Sequence, residues 1–152
     1  MISAGTTDRL YVAQTGAAAF NTWASATGLQ FEEVSSGMPA DIQLKFGDLD
    51  TNVSGVAGRT SIKARDGQLK QAIVALEAPN QDLLVFDSNN QLVYSGTEAS
   101  LSQLLRHEIG QAVGFADNTS SSSIMSYDLG DGNQTLSAAD AIEEEHRRYA
   151  GP

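Results

Sequence analysis

The residues best suited to chemistry are concentrated between Leu104 and Asp117, in the stretch LLRHEIGQAVGFAD. His107 and Glu108 place an imidazole beside a carboxylate, groups that can hold a cation or carry a proton. Gln111 stands one helical turn after His107, Asp117 lies beyond a glycine, and Ser-Ile-Met-Ser-Tyr follows at 123–127. A His-Glu pair on its own commonly does no more than face solvent or fill a core. Met125 alone would be core filling, and Tyr127 alone an ordinary half-buried tyrosine. The element that must carry the pair is a helix. Leu101, Leu104, Leu105, Ile109, Ala112 and Val113 recur at three- and four-residue steps, the mark of an apolar stripe. Ser100 and Gln103 form an S-x-x-Q capping box at its start, and Gly114 is placed to end it in a left-handed conformation.

At this spacing His107, Glu108, Gly114, Asp117 and Met125 resemble the metzincin zinc-peptidase signature, H-E-x-x-H-x-x-G-x-x-H/D followed by a Met-turn. Where that signature has its second histidine, this chain has Gln111. The resemblance extends to matrixin and serralysin catalytic domains through W-x-x-x-x-G-L-x-F-E-E-V…A-D-I at 23–42 and T-L-S-A-A-D…Y ending at Tyr149. It implies one α+β domain over 1–152, zincin-like. Such a domain has a mixed twisted β-sheet with a long N-terminal helix, an active-site helix and a C-terminal helix.

The resemblance also implies roles. Zinc would be held by His107, the residue at position 111 and Asp117, with Glu108 as the base that takes a proton from metal-bound water. Gly114 would turn the chain toward Asp117, and Met125 would floor the site. Tyr127 would be a further ligand at rest or a hydrogen-bond donor to the oxyanion. The substrate would be an extended polypeptide paired along an edge strand resembling Gln71–Glu77, with Ile73 and Ala75 on it. The domain would be secreted or extracellular and monomeric.

Gln111 bears on all of this. Its amide is neutral and poorly basic. Altering even an outer-shell partner of a zinc ligand costs roughly 10–100-fold in affinity or activity, so the sequence predicts weak zinc binding and slow or absent hydrolysis. That expectation is the same whether the glutamine arose naturally or by design. The competing function is a metal-free pseudopeptidase that binds a peptide or protein in the inherited cleft.

Composition narrows the rest. The chain has 152 residues, 41% of them hydrophobic and 18% charged, as expected of a globular domain with a proper core. A formal net charge of −10 argues against a nucleic-acid partner, and no apolar run approaches a membrane span. The N-terminus has neither a basic start nor an apolar core, so no signal peptide is expected in this chain. The cysteine count of zero excludes disulfides and thiolate metal sites.

Thr6–Thr27 reads as a helix whose apolar positions are Leu10, Ala13, Ala17, Phe20 and Trp23/Ala24, with Gly16 an unfavourable residue inside it and Trp23 a core residue. Leu29–Val34, Asp41–Phe46, Val56–Ile62 and Gln71–Glu77 read as strands, and Leu83–Phe86 with Leu92–Tyr94 as a hairpin. Ser137 starts a last helix. His146 lies in a charged run that reads as its solvated face. Asp48, Asp50, Asp87 and Asp131 sit in acidic turns that could bind calcium, as in relatives, but lack a calcium-loop pattern.

Overall fold

The computed structural model describes residues 6–35, 37–47, 58–77, 84–88, 92–94, 100–117 and 123–126. The Leu10 side chain, Asp48, Asp50, Tyr127, Asp131, His146 and the expected C-terminal helix lie outside them.

Among the described residues, two helices and two small sheets make an α+β arrangement. Helix α1 spans Thr6–Thr27, and strands follow at Ile42–Gly47 (β1), Gly58–Arg65 (β2), Gln68–Glu77 (β3), Leu84–Phe86 (β4) and Leu92–Tyr94 (β5), before helix α2 at Leu101–Val113. The larger sheet has the order β1-β3-β2, with β1 parallel and β2 antiparallel to β3. β4 and β5 form an antiparallel pair.

β2 and β3 are joined by Asp66 and Gly67, both at positive φ (54° and 72°). That is the backbone a two-residue hairpin turn needs to match strand twist, and it is why Asp-Gly suits the position. Register then fixes the faces. Val74 lies between Leu44 and Thr60, and Ala72 between Ile42 and Ile62. Because side chains alternate, Ala72, Val74 and Leu76 of β3 enter the core, and Gly58 and Thr60 of β2 share their face.

Helix α2 packs on α1, β2, β3 and β5. Leu101, Leu104, Leu105, Ile109 and Ala112 are buried in one cluster with Ala19, Trp23, Phe115, Ile124 and Met125. The start of α2 is capped in both directions: Gln103 N–H donates to Ser100 Oγ at 3.1 Å, and Ser100 N–H donates to Gln103 Oε1 at 3.2 Å.

The structure corrects three expectations. Residues 29–34 do not form a strand; Leu29 and Val34 are 45% exposed, and only Phe31 turns inward, its ring 5.0 Å from that of Phe20. The buried side of α1 is Gly16, Ala19 and Trp23, whereas Ala13 and Ala17 face solvent. Alanine on every side of this helix gives little amphipathic contrast, so the indole of Trp23 sets the face. Gly16 belongs to that contact, because a Cβ there would stand 3.1 Å from Leu44 Cδ1.

The third correction concerns Gln71–Glu77, read as an edge. It belongs to β3, the middle strand of its sheet. Gln43 and Lys45 lie on one side of Ile73 and Ala75, and Ser61 and Arg59 on the other. With neighbours on both sides, β3 has no free edge for an added strand, and Ile73 and Ala75 cannot serve as edge residues.

Candidate active site

Helix α2 sets the site by its period. His107 and Gln111 are four residues apart and so lie one above the other on the same face. The helix then stops abruptly. Gly114 has φ 124°; its N–H donates to the Gln111 carbonyl at 3.1 Å, and the Phe115 N–H donates to the Gly110 carbonyl at 2.8 Å. This paired 5→2 and 6→1 closure reverses the chain at a residue without Cβ. It returns Asp117 to the helix it has just left.

Three side chains therefore converge. His107 Nε2 lies 3.0 Å from Asp117 Oδ1. Gln111 Nε2 donates to the same Oδ1 at 2.6 Å and lies 3.3 Å from His107 Nε2. The other ring nitrogen, His107 Nδ1, is 2.8 Å from the Ile124 carbonyl oxygen. A carbonyl only accepts, so Nδ1 is the donor in this bond. That bond ties the ring to the 123–126 turn, where Ser123 Oγ accepts from the Met125 N–H at 3.0 Å. Met125 is buried under α2, and a Cβ on Gly110 would overlap both its sulfur and the Trp23 ring.

Trp23 holds this region from outside. Its indole N–H donates to the Arg106 carbonyl at 2.7 Å, next to His107, while its ring stacks on Phe115 at 4.6 Å, two residues before Asp117. Spacing alone marked Trp23 as core; its hydrogen bond to the helix backbone carries no signal in the sequence.

Glu108 faces a different neighbour. Its buried side chain reaches β2, where the Thr60 hydroxyl lies 2.5 Å from Glu108 Oε2 and 2.9 Å from the Glu108 carbonyl oxygen. A Cβ at Gly58 would stand 3.0 Å from Glu108 Cγ and 2.8 Å from Leu104 Cδ1, so glycine lets the strand pass this close. Burial pushes the Glu108 carboxyl above the ordinary carboxylate range. The Thr60 bond and His107 draw it part of the way back, and Asp117 adds to the rise. Sequence reading missed Thr60 and Gly58. The available clue was the Asp66-Gly67 pair, which sets the β2–β3 hairpin and with it the inward face of β2.

A catalytic zinc site takes three protein ligands and keeps one place open. Among the described residues no three His, Cys, Asp or Glu side chains gather to hold a metal. Beside His107 and Asp117 stands Gln111, which turns toward both the nitrogen of its amide, a donor with no lone pair to give. As they stand, these residues do not fit a catalytic zinc ion. Nor do the described residues include a calcium cluster at Asp87.

Comparison with family models gives a match to matrixin, a peptidase family, over residues 3–144. Comparison with curated proteins gives no match.

Proposed function

The chain belongs to the matrixin family of peptidases, and we propose on that premise that it is a metalloendopeptidase domain whose hydrolytic power is held down at Gln111. The observation that carries the reading is the pairing of two halves. Glu108 is buried and held by Thr60, and beside it His107 of the same helix meets Asp117, which lies beyond the Gly114 turn, at 3.0 Å. A base of raised affinity for protons, next to an imidazole–carboxylate pair, suits removal of a proton from water that attacks a peptide carbonyl. With an amide at position 111 the ligand set falls short, so hydrolysis is slow or absent.

The substrate class is polypeptide. β2 is the outer strand on the Glu108 side of the sheet among the described residues, and it carries Thr60. An extended peptide laid along that strand would pair through its main chain and bring a carbonyl toward Glu108. No helix among the described residues is long and apolar enough to cross a membrane. Action outside the cell follows from family membership as part of the same proposal.

The test is restoration. Gln111→His, purified without chelator beside the unaltered chain, should carry about one zinc ion per chain and cleave casein; the unaltered chain should do neither to a comparable extent. A His variant that takes up no zinc and cleaves nothing would overturn the proposal.

A further inference from the structure

We infer that the β2 edge selects acidic polypeptide, with Arg59 and Lys63 receiving carboxylate side chains from one face of a strand laid along it. The inference rests on the proposed function for one point, that an extended chain lies along β2, and it names the class of that chain.

Charge is unevenly placed in this molecule. The whole chain has nine Lys and Arg against nineteen Asp and Glu. The three strands of the larger sheet reverse that balance. They carry Lys45, Arg59, Lys63, Arg65 and Lys70, and a single carboxylate, Glu77, which is buried. Register says where the cations lie. Ala72, Val74 and Leu76 enter the core, so the residues paired with Gln71, Ile73 and Ala75 lie on the opposite face. There Arg59 stands beside Ala75 and Lys63 beside Gln71, both exposed, with Ser61 between them. Among the described residues neither cation enters an ion pair, whereas Arg65 has Asp66 of the turn at 3.9 Å.

A strand added along β2 would repeat its alternation. Incoming side chains opposite Thr60 and Ile62 would fall on the Glu108 face, and those opposite Arg59, Ser61 and Lys63 on the cationic face. Directly opposed Cβ atoms of paired strands stand about 5 Å apart, within reach of long side chains. Arg59 and Lys63 are about 13 Å apart along the strand, so they meet carboxylates four residues apart. Opposite charges placed in this way stabilise the pairing, and like charges oppose it. Lys45, two strands further back on β1, is about 14 Å from such a chain and is largely screened. The sign of the preference is informative. A net charge of −10 repels an acidic chain, so attraction has to come from these local cations.

Fluorescence anisotropy tests this with labelled peptides of alternating Thr and Glu, or alternating Thr and Gln. The unaltered chain should bind the Glu peptide roughly three- to tenfold more tightly than the Gln peptide, and the preference should shrink as salt rises. Equal binding, or tighter binding of the Gln peptide, would overturn the inference. Arg59→Glu combined with Lys63→Glu should abolish the preference, and Lys45→Glu on the far strand should keep it. A preference that survives the first change or disappears with the second would overturn it. The Glu peptide with all its amides N-methylated keeps its charge but cannot pair with a strand, and it should lose binding. Undiminished binding would show adsorption of charge in place of strand addition and would also overturn it. The two readings separate cleanly. If Gln111→His takes up zinc and cleaves casein while the unaltered chain does not favour the Glu peptide, only the inference fails. If the preference follows Arg59 and Lys63 while Gln111→His takes no zinc and cleaves nothing, only the peptidase reading fails.

Discussion

Neighbouring residues of α2 belong to two differently built halves of one site. On the sheet side, Glu108 is held by Thr60 over Gly58, across the helix–strand interface. On the turn side, His107, Gln111 and Asp117 are gathered by the Gly114 reversal, the Ile124 carbonyl and the Trp23 clamp. The first half holds a buried carboxyl on a strand hydroxyl; the second carries an amide at position 111, hydrogen-bonded to Asp117. Among the described residues the hydrogen bonds that support the two halves come from different elements, so a substitution in one can leave the hydrogen bonds of the other in place, while charge couples Glu108 to His107 and Asp117.

Substitutions should sort by half. The largest effect is expected for Trp23→Ala, which removes a buried indole, its stack on Phe115 and its bond to the Arg106 carbonyl. Urea unfolding should show a loss of about 4 kcal/mol, and in a Gln111→His background zinc uptake should fall with it. Gly110→Ala comes next. Its methyl must displace the Trp23 ring and Met125 sulfur, at a cost of about 2 kcal/mol after the helix-propensity gain. Equal stability of the Ala variant would show that the turn side is looser than described.

Thr60→Val probes the sheet side. Leaving the buried Glu108 carboxylate without its donor should cost roughly 1–2 kcal/mol, and Thr60→Ser should recover most of it. In the Gln111→His background the valine change should lower casein cleavage while zinc content stays constant. Loss of zinc together with activity would break the division between halves.

The gentlest test uses pH. Folding raises the Glu108 pKa, so its contribution to stability is complete below the ordinary glutamate value and is lost as pH rises through the raised folded value. In the metal-free chain Glu108→Gln should therefore gain on the unaltered chain across that window. A pH-independent difference between the two would show that folding does not raise the carboxyl's affinity for protons.

The turn side was legible in the sequence because its determinants are local. The four-residue step from His107 to position 111, the Ser100–Gln103 cap and the Gly114 stop are all read along one helix, and the structure places them as spaced. The sheet side depends on which strand lies beside α2, and that is set by contacts distant in the chain. Thr60 meets Glu108 across 48 residues. Even so, two clues were present. Asp66-Gly67 marked a tight hairpin, and the unbroken run Ala72-Ile73-Val74-Ala75-Leu76 suited a strand enclosed by neighbours better than an edge. Residues 29–34 mislead for the opposite reason: they have strand-like composition, but among the described residues no strand pairs with them. In α1, alanine on all sides left the buried face to be chosen by Trp23.

On the proposed reading, Gln111 alone separates this site from a competent metal centre. The most direct test is zinc affinity, measured by chelator competition on the unaltered chain and on Gln111→His. Restoring the ligand should tighten Kd by at least about 100-fold; equal affinities in the two chains would contradict it.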